Sequence, residues 1–258
     1  PDAFYAGKTG KDIVRKVTTA KVNPGDMTAA DLTAYAAKER PPVCMTYRVY
    51  KVCGMGPPSS GGVTVLQILG QLAPFDMAAL GPDNPESWHL IGQSMQLAYA
   101  DRGTYLGDPD FVEVPVAGLI DPEYLAQRSG LIDPKAARTD YPAGTPKNAT
   151  AWRFAEPEVE EGTTHFTVVD LAGNVVSMTS TIEGPFGSQL IAGGFFLNNE
   201  LTDFAFAPTD DAGGAVANAV AGGKRPLSSM SPTIVYDANG DPILALGSAG
   251  GKRIIMHV

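Results

Sequence analysis

The sequence predicts an α+β fold, helical in its first half and strand-rich in its second, and two observations carry that prediction. Apolar residues recur at helical spacing as far as about Tyr105, whereas from Thr164 onward β-branched and polar residues alternate. The two textures are separated by Asp133 to Val159, a Pro-rich, charged stretch poor in large apolar side chains that reads as an exposed linker. With 258 residues, 44% of them hydrophobic, the chain can build one large core or two closely packed ones.

The elements follow in order. Thr28 caps a helical run carrying Leu32, Tyr35 and Ala36, which Arg40-Pro41-Pro42 ends. Val43 to Cys53 alternates and is rich in β-branched and aromatic residues, the pattern of a hairpin or bent strand. Pro57-Pro58-Ser59-Ser60-Gly61-Gly62 is a tight loop running into a helix over about Val63 to Leu72. Its exposed amides could hold an anion, but the expected role is a rigid turn. A longer helix spans about Ser87 to Tyr105, with Leu90, Ile91, Met95, Leu97 and Ala98 on its apolar face. His89 reads as a helix-face residue, since no Cys or carboxylate cluster stands around it at metal spacing. Beyond the linker, Thr164 to Asp170 and Asn174 to Thr181 form a hairpin around Leu171-Ala172-Gly173. Gly194 to Asn198, Thr233 to Tyr236 and Pro242 to Leu246 are further strands. Gly247-Ser248-Ala249-Gly250-Gly251 breaks the last of these and opens a helix. No internal repeat is visible.

Composition excludes some functions. A net charge of −9 argues against a nucleic-acid partner or an anionic membrane surface. No run of about 18 apolar residues occurs, so no transmembrane helix is encoded. Pro1 to Tyr5 shows neither the charged start nor the apolar stretch of a secretion signal, and both termini read as cut. The expectation is a fragment whose targeting segment lies elsewhere. Cys44 and Cys53 are too few for a structural zinc site. They either pair across a hairpin in an oxidising compartment or serve as two buried thiols.

The stretch Gly162-Thr163-Thr164-His165-Phe166-Thr167-Val168-Val169-Asp170 reads like the start of a protein placed mid-chain. A small residue precedes two hydroxyl residues and then a strand. If the Gly162–Thr163 bond were cut, Thr163 would supply both a nucleophilic hydroxyl and an α-amine to act as its base. The preceding Glu156, Glu158, Glu160 and Glu161 close a flexible segment in which cleavage would be tolerated.

Four polar or Gly-rich clusters border apolar strands, where sites sit on rigid scaffolds: Thr163-Thr164-His165, Leu197 to Phe204, Lys224 to Met230, and Gly247 to Gly251. Together with Pro57 to Gly62, Asp31-Leu32-Thr33-Ala34-Tyr35 and Tyr99-Ala100-Asp101-Arg102, they closely resemble the γ-glutamyltransferase family, N-terminal nucleophile hydrolases made as self-cleaving precursors. The resemblance runs through nearly the whole chain. It implies a four-layer αββα sandwich, incomplete here. Residues 1–162 would be the C-terminal part of a large subunit, with the linker over about 133–162, and residues 163–258 the N-terminal part of a small catalytic subunit.

The resemblance also implies roles. Thr163 is the nucleophile, for self-cleavage after Gly162 and then for attack on γ-glutamyl amides such as glutathione, with water or amines as acceptors. Thr181 is the hydroxyl that hydrogen-bonds it. Gly250 and Gly251 are the oxyanion pair, Glu183, Glu200 and Asp203 accept the substrate ammonium, and Ser228 and Ser229 grip its carboxylate. No metal or organic cofactor is implied, and the expected location is periplasmic or extracellular.

The chain also departs from the family pattern. The family's carboxylate-gripping arginine lies upstream of this sequence. Glu occupies positions 183 and 200, where some members have Asn and Gln. Ala205 to Gly223 corresponds to the lid loop but lacks the tyrosine that closes it in some relatives, which favours hydrolysis over transpeptidation. The alternatives are an acylase of the same architecture acting on glutaryl side chains of β-lactams, or an inert homologue that kept only the fold. The isolated 258-residue chain is expected to be inactive.

Overall fold

The computed structural model describes residues 2–150, 152–154 and 162–258. Glu156, Glu158, Glu160 and Glu161 lie outside the described residues.

Two helices open the chain, α1 (Asp2–Tyr5) and α2 (Lys8–Thr18), followed by α3 (Ala29–Ala34). The capping box of α3 joins Thr28 and Asp31. The sequence reading continued this helix past Tyr35. Instead Tyr35 turns extended, and its ring stacks on Tyr5 with centroids 6.1 Å apart. The predicted hairpin forms as β1 (Val43–Tyr47) and β2 (Tyr50–Gly54), and Cys44 pairs with Cys53 in register and in a disulfide.

Four helices follow: α4 (Gly61–Leu72), α5 (Met77–Leu80), α6 (Pro85–Tyr105) and α7 (Val116–Leu119), with α8 (Pro122–Ser129) behind them. Asn84 caps α6 and Asp121 caps α8, each accepting from first-turn amides with Pro next in line. The Asp121-Pro122 pair is itself a helix-start signal in the sequence, too short a run to stand out by apolar spacing. Leu90, Leu97 and Ala98 of α6 are buried against Val65, Ile68 and Leu72 of α4, while Ile91 and Met95 are only partly buried.

After residue 162 come β3 (Thr164–Val169), β4 (Val175–Ser180), the two-residue pair β5 (Ile191–Ala192) and β6 (Phe195–Phe196), then β7 (Thr233–Tyr236), β8 (Pro242–Leu246) and α9 (Ile254–His257). The main sheet runs β1-β2-β7-β8, antiparallel throughout. It therefore joins strands from both sides of position 162, and Ile255 of α9 lies in the same core as α4 and α6. The helical and strand-rich halves are one packed body around a shared sheet.

The β3–β4 hairpin meets β8 through Ser177, whose hydroxyl donates to the Leu246 carbonyl at 3.1 Å. Its apolar residues Phe166, Val168, Val176 and Met178 are exposed. The linker is less exposed than its composition suggested. Gly144 donates its amide to Asp101 at 2.8 Å and accepts from the Tyr105 hydroxyl at 2.6 Å, and Pro146 is buried. No described helix is long and apolar enough to cross a membrane.

The disulfide closes a short loop across β1 and β2, and removing it frees the unfolded chain. Replacing Cys44 and Cys53 together by Ser is expected to lower unfolding free energy by about 2–3 kcal/mol, read as a lower denaturant midpoint. Non-reducing peptide mapping that recovered two free thiols would contradict the bond itself.

Candidate active site

Thr163 stands one residue before β3, half-buried, with Gly162 exposed before it. Its hydroxyl donates to the Gly162 carbonyl, so the side chain folds back onto the peptide group that precedes it. Thr181, one residue after β4, completes the arrangement: its hydroxyl lies 3.4 Å from that of Thr163 and donates to the same carbonyl at 3.1 Å. The antiparallel register pairs Thr164 with Ser180, which places the residues just outside the hairpin's open end side by side. Gly162 has φ 112°, and a Cβ there would lie 2.5 Å from the Glu183 carbonyl oxygen. Only glycine allows this close approach.

A nucleophile beside a carbonyl polarised by a second hydroxyl is the ground-state geometry of an intramolecular acyl shift. Thr181 also accepts the Glu183 amide at 2.8 Å, so its donor proton stays aimed at the carbonyl.

The predicted acids converge. Glu183 is buried, has φ 69° and bonds to the Asn199 side-chain amide. Asn199 in turn accepts the Gly184 amide at 2.9 Å, joining the turn after Thr181 to the Glu200–Asp203 turn. Asp203 is pushed up to about 8, by burial first, then by its hydrogen bond to Glu200 and the charges of Glu200 and Glu183; the Arg102 charge opposes the rise. Asn199 was missed by sequence reasoning, although it sits inside the Leu197–Phe204 cluster. The sequence marks that cluster as polar and cannot show which amide bridges two turns.

The predicted serines separate in environment. Ser228 is half-buried and Ser229 buried. Ser228 accepts the Met230 amide at 3.1 Å, while Ser229 accepts from Arg102 at 2.7 Å. Ser60, in the loop before α4, donates both its amide and its hydroxyl to the Ser228 carbonyl at 2.7 Å. The Pro57–Gly62 loop is thus a brace for the serine loop, the rigid-turn reading rather than the anion site. A Cβ on Gly61 would lie 1.9 Å from the Ser231 hydroxyl oxygen, which shows how closely the two loops meet.

Gly250 and Gly251 follow β8 with φ 119° and 57°, and their carbonyls accept locally, from Arg253 and Ile254. No hydrogen bond joins either to Thr163 among the described residues. Within residues 205–223, Asn218 donates to the Asp203 carbonyl at 2.7 Å and accepts the Leu227 amide at 2.9 Å. His89 lies outside the site, its Nε2 2.9 Å from the Asp133 carbonyl oxygen.

A threonine hydroxyl folded onto the preceding carbonyl, at the open end of a hairpin and beside a cluster of acids, is the geometry of the N-terminal nucleophile hydrolases before processing. The sequence model of the γ-glutamyltranspeptidase family matches residues 1–258, and the chain belongs to that family. It is 41% identical to the glutathione hydrolase proenzyme of Bacillus subtilis subsp. natto, with all of this chain and 44% of that protein covered. It is 37% identical to the acylase ACY 1 proenzyme of Pseudomonas sp. strain SE83, with 98% and 42% covered. The solved cephalosporin acylase of Bacillus halodurans superimposes with a TM-score of 0.78 at 24% identity, covering 98% of this chain and 42% of that one, a likeness of fold. The chain spans less than half the length of the curated relatives it matches.

The raised Asp203 carboxyl has a consequence for stability. A carboxyl raised on folding stabilises the folded state below its unfolded value, and that contribution is lost as pH rises through the folded value. The protein is expected to lose stability between about pH 4 and about pH 8 through this group, and Asp203→Asn to flatten that slope in thermal melts.

Proposed function

We propose that the whole protein is a γ-glutamyltransferase acting as a glutathione hydrolase, made as a precursor that cleaves itself between Gly162 and Thr163. The observation that carries this reading is the Thr163 hydroxyl lying against the Gly162 carbonyl, with Thr181 donating to the same oxygen. The Thr163 Oγ1 attacks the Gly162 carbonyl carbon, the C–N bond to Thr163 breaks, and the hydroxyl proton ends on the freed α-amine. Water opens the resulting ester, leaving a Gly162 carboxylate and a restored hydroxyl.

In the processed enzyme the same oxygen attacks the γ-carbonyl of glutathione or a related amide. The α-amine takes the hydroxyl proton and returns it to the leaving amine, and water or an acceptor amine then releases the γ-glutamyl group. Glu183, Glu200 and Asp203 meet the substrate ammonium, Ser228 and Ser229 its carboxylate, and the Gly250–Gly251 amides the oxyanion, a donor type whose loss elsewhere costs about 2.7–4 kcal/mol. Residues 1–162 and 163–258 become parts of the large and small subunits.

The complete fold in this reading is the four-layer αββα sandwich. The helix layer and the β1-β2-β7-β8 sheet would be two of its layers, and the exposed Phe166, Val168, Val176 and Met178 of the β3–β4 hairpin offer a face for further packing. A periplasmic or extracellular location agrees with the Cys44–Cys53 bond. The lid segment without its tyrosine favours water over amine acceptors. The acid cluster favours a γ-glutamyl over a glutaryl substrate, because a glutaryl group brings no ammonium to Asp203.

Intact-mass analysis of the full-length protein is expected to show two fragments for wild type and one for Thr163→Ala; cleavage in both would remove Thr163 from the reaction. A γ-glutamyl anilide should be turned over well and a glutaryl amide poorly, and the reverse preference would establish the acylase reading. Because the ammonium pairs with an ionised Asp203, KM for the anilide is expected to fall as pH rises towards about 8.

A further inference from the structure

Arg102 has no role in the chemistry described so far, yet it is 1% exposed and sits within the site. A buried guanidinium has to be held by acceptors, and its planar fork fixes their positions. Its Nε donates to the Ser60 hydroxyl at 2.8 Å and a terminal nitrogen donates to the Ser229 hydroxyl at 2.7 Å. Its guanidinium also lies 5.8 Å from the Tyr99 ring centroid, one turn back on α6.

The two hydroxyls belong to the two loops that meet under the site. Ser60 holds the Ser228 carbonyl through its amide and hydroxyl, and Ser59 donates to the Met230 carbonyl. The Ser228 amide returns a bond to the Pro58 carbonyl at 3.1 Å, and the Ser231 hydroxyl donates to the Ser229 carbonyl at 2.9 Å. Every member of this lattice is backbone or hydroxyl except Arg102. A guanidinium can only donate, so Ser229 must accept from it, and the proton of that hydroxyl is directed elsewhere.

We infer that Arg102 is a positioning residue for substrate binding: its fork fixes the Ser229 hydroxyl as an acceptor and, through Ser60, fixes the backbone of Ser228, so that both serines present donors to the carboxylate of the substrate. The inference rests on the γ-glutamyl reading of the site. It extends that reading from residues that touch the carboxylate to one on α6 that acts through them.

The test uses the full-length protein with Arg102→Lys, Ser229→Ala and the double variant, measuring kcat and KM for a γ-glutamyl anilide and the rate of self-cleavage. Lys keeps the buried charge but loses the fork. Arg102→Lys is expected to raise KM about tenfold, the scale of a hydrogen bond to a charged group, with kcat and self-cleavage little changed. Ser229→Ala should raise KM similarly, and the double variant should raise it by less than the product of the two single effects, because part of the arginine's effect runs through that hydroxyl and the rest through Ser60.

Multiplying effects in the double variant, or an unchanged KM in Arg102→Lys, would overturn the inference while leaving the γ-glutamyl reading intact. If Arg102→Lys does not fold, Ser60→Ala removes one of its acceptors without disturbing the charge; it is expected to raise KM alone, and a parallel loss of kcat and self-cleavage would mark a purely structural role. Absence of γ-glutamyl turnover in the wild type would remove both the reading and the inference.

Discussion

The structure depends on two neighbouring charges buried near the end of α6. Asp101 and Arg102 are 0% and 1% exposed, and an ion taken out of water must be met by partners from the rest of the fold. Successive helix residues point about 100° apart, so the two gather different surroundings. Asp101 accepts from Gln67 of α4 at 2.9 Å, from Tyr124 of α8 at 2.8 Å and from the Gly144 amide at 2.8 Å, and pairs with Arg128 at 3.3 Å. Arg102 gathers the hydroxyls of Ser60 and Ser229. One helix end thereby fixes the helical layer on one side and the serine loops on the other. Burial pushes the Asp101 carboxyl up, and Arg128 and the three donors pull against that rise.

The same accounting explains the acid cluster. Glu183, Glu200 and Asp203 come from two turns that Asn199 joins, and like charges so close cannot all ionise while partly buried. Asp203 is the group that stays protonated. A protonated Asp203 lowers the charge the cluster must bury, and in the proposed function that proton leaves when a substrate ammonium binds. Stability is given up locally for recognition, a common compromise at sites.

The hairpins, the helices α4 and α6, and the strands Thr233–Tyr236 and Pro242–Leu246 were legible because each depends on neighbours in sequence: turn residues, apolar spacing and alternation. Thr163 was legible as a candidate from the Gly-Thr start of a strand and Thr181 only from the family resemblance, and register then had to bring them together. The linker was misread in part. Its polarity and Pro content suggested exposure, but Gly144 is held by Asp101 and Tyr105, residues some forty positions earlier, and Pro146 is buried. Likewise Tyr35 leaves its predicted helix for a ring contact with Tyr5. Arg102 and Asn199 each lay inside a recognised motif without a role, since sequence does not show which polar side chain is buried or what it bridges.

The sequence by itself therefore determined the α+β class, the order of its elements, the threonine that follows Gly162 and the family to which the chain belongs. Those depend on local propensity, spacing and motif, which are written along the chain. Only the tertiary structure decided that β1 and β2 share a sheet with β7 and β8 across position 162, that Cys44 and Cys53 are bonded, and that Glu183 and Glu200 come close enough to Asp203 for their charges to raise its carboxyl. It also separated Ser228 from Ser229, one half-open and the other buried against a guanidinium. Each of these depends on burial and on contacts between residues distant in sequence, where the energy of a charge or hydroxyl is set by what surrounds it.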